Sequence, residues 1–175
     1  TKTIANSLTM RRVLSYASML NRPVIQHAED PMLAENGEMH EGEHSTRLGL
    51  RGIPDAAEDI VISRDLAILR LTGGHYHVAH IATAKGIALI RAAKAEGLNV
   101  TCDTAPPYAL LNDIAVRDYD TRFRLSPPLR SEVDRQAVIE GLADGTIDAM
   151  ASDHSPQDRD VKSLPFGLAE PGYYG

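Results

Sequence analysis

Three short runs of this sequence that are typical of β-strands each lead into a side chain that can bind a metal ion. These side chains are His27, His80 and Asp153, and His154 follows the last of them. Imidazole nitrogen and carboxylate oxygen are ligands of catalytic zinc. Because the carboxyl ends of parallel strands meet at one edge of a sheet, the pattern predicts that the three side chains line one metal site.

No single histidine in this set would establish such a site. A histidine in a strand is more often a hydrogen-bonded core residue than a ligand, and this holds for His27 and His80 taken alone. Asp153 is the more specific signal, because a carboxylate at the end of an apolar strand is costly unless a cation or hydrogen-bond donors compensate it. We expect His75 and His77, on the same strand as His80, to serve packing or supporting roles.

The elements that must position these side chains alternate between helix and strand. Apolar periodicity, capping residues and glycine stops predict helices over residues 7–20, 55–71, 84–96 and 131–144. Strands are predicted over 23–27, 75–81, 98–103 and 147–152, and an irregular loop over 31–54. Repeated β-α-β units imply a parallel sheet. Four such strands fit either an open doubly wound sheet or part of a closed eight-stranded barrel, since a complete barrel takes about 250 residues.

Some details of the helices can also be predicted. Ser7 or Thr9 is expected to cap the first helix, and the pattern Ser131-Glu132-Val133-Asp134 predicts a capping box at the start of the last one. The buried stripe of the second helix is predicted to consist of Ala57, Ile60, Val61, Ile68 and Leu71.

Composition and charge argue against several classes of function. The chain has 175 residues, 43% of them apolar and 24% charged, which is typical of one globular domain. A net charge of −6 without a Lys/Arg cluster argues against a nucleic-acid or anionic-membrane surface, and no apolar run is long enough for a membrane span. The single cysteine, Cys102, is consistent with the cytoplasm and is expected to be a small buried residue rather than a catalytic thiol.

Several short motifs follow one another along the chain. They are His27-Ala28-Glu29-Asp30, Glu41-Gly42, Leu50-Arg51-Gly52-Ile53-Pro54, His80-Ile81-Ala82-Thr83, Pro127-Pro128-Leu129-Arg130, Ser152-Asp153-His154-Ser155-Pro156 and Pro165-Phe166-Gly167. In identity and order they resemble the motifs of class I dihydroorotases, which are metal-dependent amidohydrolases. Hydantoinases and allantoinases share the Asp-His element, so the Glu-Gly, Leu-Arg-Gly-Ile-Pro and Pro-Phe-Gly elements favour dihydroorotase. The resemblance covers nearly the whole chain.

The resemblance implies a fold and a reaction. The implied fold is α/β: a (β/α)8 TIM barrel of the amidohydrolase type, present here as a partial barrel of about four parallel strands with flanking helices. Residues 1–175 would form a single domain, the C-terminal half of that barrel. The implied reaction is the zinc-dependent, reversible hydrolysis of the cyclic amide of dihydroorotate to carbamoyl aspartate, in de novo pyrimidine biosynthesis.

The resemblance also implies roles for particular residues. The residues concerned are the metal ligands His27, His80 and Asp153 and the substrate contacts His154, Phe166 and Gly167, the last two through their backbone. Asp153 would in addition be the catalytic base that transfers the proton. A complete active site would hold two zinc ions. The implied partners are the small-molecule substrate, a second copy of the chain in a homo-oligomer, and aspartate transcarbamoylase.

The sequence departs from the family at its first strand. The family's His-x-His pair followed by arginine, and its bridging carboxylated lysine or aspartate, have no counterpart in this chain. We therefore expect the 175-residue chain to be a fragment that is inactive on its own. Two other functions stay open: a noncatalytic dihydroorotase homologue that is a structural partner of aspartate transcarbamoylase, and a hydantoinase or allantoinase.

Overall fold

A four-stranded parallel sheet forms the centre of the computed structural model, which describes residues 3–174. In chain order, the strands are β1 (Pro23–His27), β2 (Met39–His40), β3 (Gly52–Ile53), β4 (His75–Ala79), β5 (Val100–Thr104) and β6 (Ala149–Met150). The central sheet has the order β1-β4-β5-β6 with every neighbouring pair parallel, and β2 and β3 form a separate parallel pair. The C-terminal ends of the central strands therefore lie at one edge of the sheet.

Helices connect the central strands and pack against one another in chain order. They are α1 (Ser7–Met19), α2 (Glu43–Leu48), α3 (Ala56–Thr72), α4 (Ala84–Ala95), α5 (Pro106–Leu110), α6 (Glu132–Ala143) and α7 (Arg159–Lys162), with 3-10 turns at Asp113–Tyr119, Thr121–Phe123 and Phe166–Leu168. α1 contacts α3, α3 contacts α4, and α4 contacts α6. No helix within residues 3–174 is long and apolar enough to cross a membrane.

The two faces of the central sheet differ in polarity. On the face toward the helices, Val24, Tyr76 and Val78 are buried in one large apolar cluster. On the opposite face, Ile25 of β1 is 66% exposed, and the strand register places it beside His77, with Thr101 of β5 next in the row. The polar row on this second face belongs to the candidate site.

The predicted α/β architecture with four parallel strands is confirmed, but its last strand is shorter and more open than expected. The run 147–152 was expected to be a buried strand, whereas only Ala149–Met150 is a strand and Met150 is 50% exposed. β6 is an edge strand that pairs with β5 alone, and within residues 3–174 no further strand covers its other side. The loop predicted over 31–54 contains β2, α2 and β3.

The helix starts follow ordinary capping chemistry. The expected cap of α1, Ser7 or Thr9, is wrong by one position, because the helix begins at Ser7 and Asn6 Oδ1 accepts the hydrogen bond from Thr9 N at 3.0 Å. The predicted capping box of α6 is confirmed. Its reciprocal bonds join Ser131 Oγ to Asp134 N at 3.3 Å and Asp134 Oδ2 to Ser131 N at 3.1 Å.

The buried surface of α3 is not the predicted stripe. Ile60 and Leu71 were expected to be buried but are 51% and 66% exposed, whereas Ile62 and Leu66 are fully or almost fully buried. α3 packs against α1 on one side and α4 on the other as well as against β4, so its buried surface extends beyond one stripe. A polar contact also fixes how the helix is rotated. The carboxylate of Asp65 is buried, pointing at the sheet.

Asp65 accepts several hydrogen bonds on the helix side of the sheet. Its carboxylate accepts from the Tyr76 hydroxyl at 2.9 Å, from Arg64 Nε at 2.8 Å and from the side-chain amide of Gln26. The contacts join α3 to β1 and β4. A buried carboxylate with several donors is tolerated, whereas the same donors left without it would be costly.

We expect the Asp65→Ala variant to lose about 3 kcal/mol of unfolding free energy, because it leaves the buried Gln26 amide and Tyr76 hydroxyl without their acceptor. The Tyr76→Phe variant removes one hydroxyl from the same group and is the matched control. We expect it to lose about 1 kcal/mol. Urea denaturation followed by circular dichroism measures both. Equal, small losses in the two variants would contradict the central role given to Asp65.

Candidate metal centre

The structure brings His27, His80 and Asp153 to one edge of the sheet. β1 ends at His27, His80 directly follows β4, and Asp153 follows β6. The ring centroids of His27 and His80 are 6.3 Å apart, and His80 Nε2 lies 3.3 Å from Asp153 Oδ1. All three line a pocket of about 360 Å³. The other lining residues are Ser126, Ser155, Gln157, Glu170 and Pro171.

Two of these residues have a backbone conformation that is unusual for residues other than glycine. His80 has a φ of 59° and Asp153 a φ of 45°, both in the left-handed region. Such conformations cost on the order of 1 kcal/mol or more and persist only where the surroundings hold them. At His80 the surroundings are Asp103 and Ile81: Asp103 Oδ1 accepts from His80 N, and Asp103 O accepts from Ile81 N, both at 2.8 Å.

Asp103, the fourth residue of β5, lies next to the side of the His80 ring that faces away from Asp153. Its Oδ1 lies 3.1 Å from His80 Nδ1, and its Oδ2 accepts from His77 Nε2 at 2.8 Å. Burial alone would raise the pKa of Asp103, but its contacts with His77 and His80 outweigh burial and hold that pKa well below its ordinary value. The contact with Asp103 raises the pKa of His80 against the opposing effect of burial, and the Asp153 charge raises it further.

The His80 ring lies between two carboxylates, which restricts what its nitrogens can bind. Asp103 Oδ1 lies 3.1 Å from His80 Nδ1 outside hydrogen-bond geometry, and because two lone pairs at this distance repel, the carboxylate favours a proton on Nδ1. Nε2 of the neutral ring then presents a lone pair to Asp153 Oδ1, which is also an acceptor. Two acceptors facing each other need a positive ion between them, either a second ring proton or a metal ion.

The distance between these two acceptors fits zinc. Nitrogen and oxygen ligands lie about 2.1 Å from a tetrahedral zinc ion, which places two of them about 3.4 Å apart. His80 Nε2 and Asp153 Oδ1 are separated by 3.3 Å. His27 lies across the pocket, with its Nε2 3.9 Å from Glu29 Oε1. His80 and Asp153 thus form a closely spaced pair of potential zinc ligands, and His27 is a more distant potential ligand.

The environment of Asp153 suits a group that accepts a proton. Burial raises the pKa of its carboxyl, the positive charges of His80 and His27 oppose that increase, and the Asp103 charge adds to it. A carboxylate with a raised pKa is a stronger base than an exposed aspartate. The chemistry available here is metal binding combined with proton transfer.

The structure does not bring the three predicted substrate contacts into the lining of this pocket. His154 is exposed, and its ring centroid lies 6.2 Å from that of Tyr174. The side chain of Phe166 is buried in a small apolar cluster with Met39, and the Phe166 carbonyl accepts a hydrogen bond from Arg124 at 2.6 Å. Gly167 lies against Glu38. The roles of His154, Phe166 and Gly167 stay predictions.

Sequence reasoning missed Asp103, although a signal for it existed. The predicted strand 98–103 ends in this acid, just as the last predicted strand leads into Asp153, so the same argument applies to it. The polar pocket residues Gln157 and Glu170 gave no comparable signal, because they lie in irregular segments. Cys102 agrees with its prediction: it is buried, and burial raises its pKa to about 12.

A second group of potential ligands lies away from the pocket. Ligand atoms of His40, Asp55 and Asp134 lie within 4.8 Å of one another. Protein donors already engage this group: Arg130 Nη1 lies 3.3 Å from Asp55 Oδ1 and donates to Ile53 O at 2.7 Å, and Asp134 Oδ1 accepts from Ala84 N at 2.8 Å. These contacts indicate that the group is a network of ion pairs joining the loops and not a cation site.

Comparison with known proteins identifies similar sequences over nearly the whole chain. The family described as Dihydro-orotase-like matches residues 3–86. The dihydroorotase of Syntrophobacter fumaroxidans is 48% identical over 172 residues, which are 98% of this chain and 39% of that protein. The dihydroorotase of Endomicrobium trichonymphae is also 48% identical over 172 residues, 98% of this chain and 41% of that protein. The chain thus spans about two fifths of the length of these relatives.

Solved structures with a similar fold are more distant in sequence. The dihydropyrimidinase of Brevibacillus agri has a TM-score of 0.80 at 24% identity, over 97% of this chain and 39% of its own. The L-hydantoinase (dihydropyrimidinase) of Arthrobacter aurescens has a TM-score of 0.80 at 21% identity over the same shares. At this level of identity the likeness shows the fold. The parallel strands and flanking helices agree with the predicted α/β fold, a partial (β/α)8 barrel of about four parallel strands.

The charges around His80 lead to a prediction about its titration. In metal-free protein, we expect the Asp103→Asn variant to lower the pKa of His80, because its largest supporting contact is weakened. Asp153→Asn should lower the pKa of His80 less, because Asp153 acts on His80 through its charge alone. Two-dimensional NMR of the ring signals against pH measures the shift. Asp148→Asn, a carboxylate of the same sheet bonded to Cys102 N, is the control and should leave His80 unchanged. An unaltered His80 titration in Asp103→Asn would refute this description.

Proposed function

We propose that this chain, which resembles dihydroorotases over nearly its whole length, carries part of the active site of a dihydroorotase. The complete enzyme would reversibly hydrolyse the cyclic amide of dihydroorotate to carbamoyl aspartate, a step of de novo pyrimidine biosynthesis. The observation that carries the proposal is the pair His80 Nε2 and Asp153 Oδ1, two acceptors 3.3 Å apart in a polar pocket that His27 also lines. The 48% identity to proteins named dihydroorotase supports this substrate over a hydantoin.

Zinc is the metal that this proposal assigns to the pocket. His27, His80 and Asp153 would supply ligands from this chain, and a complete site would hold two ions. Bound zinc supplies Lewis acidity, which makes water a usable nucleophile at neutral pH and polarises an amide carbonyl. Asp103 supports the assignment, because its negative charge 3.1 Å from Nδ1 favours a proton on that nitrogen and leaves the Nε2 lone pair directed at the pocket.

Asp153 would move the proton during the reaction. Its carboxylate accepts a proton from the attacking water as the oxygen bonds to the amide carbon. It then returns that proton to the ring nitrogen as the carbon–nitrogen bond breaks. The reverse direction uses the same groups to close carbamoyl aspartate. Burial raises the pKa of Asp153, which makes its carboxylate a stronger base than that of an exposed aspartate.

The substrate is an anion, and its carboxylate needs a positive partner. Within residues 3–174, no arginine or lysine lines the pocket. Arg130 is buried and donates to Ile53 O, so it serves the loop network rather than the substrate. The family resemblance assigns the partner to the arginine of the first-strand motif. In this proposal His154 and the backbone of Phe166 and Gly167 contact the substrate ring from the rim.

We extend the proposal to the assembly of the whole protein. Residues 1–175 would be one continuous portion of the barrel, in a cytoplasmic homo-oligomer with aspartate transcarbamoylase as a partner. The exposed sheet supports the barrel: within residues 3–174, β1 and β6 each pair on one side only, and Ile25 of β1 and Met150 of β6 are 66% and 50% exposed. Such edges are normally covered by further strands.

The role of Asp153 can be tested in the full gene product. We expect Asp153→Asn to lower kcat for dihydroorotate by about two to four orders of magnitude, because the variant keeps the size of the side chain but loses the proton acceptor. Zinc content and melting temperature should stay close to those of the parent. Asp158→Asn replaces an exposed carboxylate nearby and is the control. An unchanged kcat together with a lowered melting temperature would show that Asp153 is only structural.

A further inference from the structure

Four side chains on the open face of the sheet form a continuous row of hydrogen bonds that leads to His80. His75 Nε2 lies 2.9 Å from Thr101 Oγ1, and Thr101 Oγ1 lies 2.7 Å from His77 Nδ1. His77 Nε2 lies 2.8 Å from Asp103 Oδ2, and Asp103 Oδ1 accepts from His80 N at 2.8 Å. We call the members His75, Thr101, His77 and Asp103 the ladder. It runs across β4 and β5 toward the pocket edge.

Chemistry fixes the direction of each bond in the ladder when the histidines are neutral. The Asp103 carboxylate only accepts, so His77 must donate to it through Nε2–H. A neutral His77 then has its lone pair on Nδ1, which accepts from the Thr101 hydroxyl. That hydroxyl has one proton, so its oxygen accepts from His75 Nε2–H. The whole row therefore has one consistent arrangement, and each member orients the next.

Asp103 divides its two oxygens between two histidines. Oδ2 accepts from His77 Nε2, and Oδ1 accepts from the backbone N–H of His80 and lies 3.1 Å from its ring Nδ1 without a hydrogen bond. A carboxylate that binds at one oxygen only can rotate about its Cβ–Cγ bond. The bond from His77 Nε2 removes that freedom, because rotation would break it. The position of Oδ1, and with it the orientation of the His80 ring, depends on His77.

We propose that His77 is a positioning residue for the metal site: through Asp103 it holds His80 with Nε2 directed at the pocket, and Thr101 holds His77. The inference rests on the proposed zinc site of His80 and Asp153. Outer partners of this kind commonly contribute a factor of about 10–100 to metal affinity. Packing alone does not account for His77, because its side chain is 18% exposed on the open face and both of its nitrogens are hydrogen-bonded.

The test compares variants of His77 in the full gene product by zinc affinity, measured by competition with a chelator. We expect His77→Leu to bind zinc about 10–100-fold more weakly than the parent. His77→Gln places an amide nitrogen near the position of Nε2, can donate to Asp103, and should recover most of the affinity. His77→Asn is too short to reach Asp103 and should resemble His77→Leu. Thr101→Val removes the support of His77 but keeps the bond to Asp103, so we expect a smaller loss.

A second readout separates positioning from general stability. The melting temperature of zinc-free protein should differ little between His77→Gln and His77→Asn, although their zinc affinities differ. In zinc-free parent, ring nitrogen shifts in NMR should show His77 protonated on Nε2. If His77→Leu does not fold, the Gln and Asn variants decide the question, and equal zinc affinities in that pair would overturn the inference.

The outcomes also separate this inference from the proposed function. A parent protein that binds zinc, with a His77→Leu variant that binds it equally tightly, would overturn the positioning role alone. A parent that binds no zinc would overturn the proposed function and the positioning role with it. Weaker binding in His77→Leu, recovered in His77→Gln, is the result we expect.

Discussion

The parallel pairing of β1, β4 and β5 is the constraint on which the rest of the structure depends. In this register the first residue of β1 pairs with the first of β4, and His27 pairs with Ala79. The next residue after β4, His80, is therefore carried just past the edge where His27 lies. The same pairing places Thr101 beside His77. A slip by one residue would turn the ladder toward the helices and Tyr76 toward the pocket.

The sheet separates two kinds of polar chemistry. On the helix side, the Asp65 carboxylate is fully buried and collects donors from Gln26, Arg64 and Tyr76, which fixes α3 against the sheet. On the open side, Asp103 accepts from His77 Nε2 and from the backbone N–H of His80. Both carboxylates satisfy the requirement that a buried charge has partners. Because Asp65 finds its partners on the helix side and Asp103 on the open side, the two polar groups share no donor.

Much of this arrangement could be predicted from sequence. The parts that could not be predicted have one physical cause in common. The bounds of α3, α4 and α6 follow from long apolar periodicity and capping, and the edge position of His27, His80 and Asp153 follows from β-α-β topology. The sequence pattern along one strand does not specify its register with a neighbouring strand, so the hydrogen bond from His77 to Asp103 could not be predicted. The exposure of Met150 depends likewise on which strand lies beside β6.

The unusual backbone at His80 explains why the site needs its supporting row. The left-handed conformation of His80 turns the chain sharply at the end of β4. Its side chain therefore reaches the pocket, whereas in a continuing strand it would point to the helix side of the sheet, as Tyr76 and Val78 do. That conformation is disfavoured for histidine by itself. Asp103 stabilises it through the hydrogen bond from the backbone N–H of His80, and the same Oδ1 lies 3.1 Å from the ring Nδ1. One carboxylate therefore holds the strained turn and places a negative charge beside the ring. A substitution that frees Asp103 to rotate would change both together.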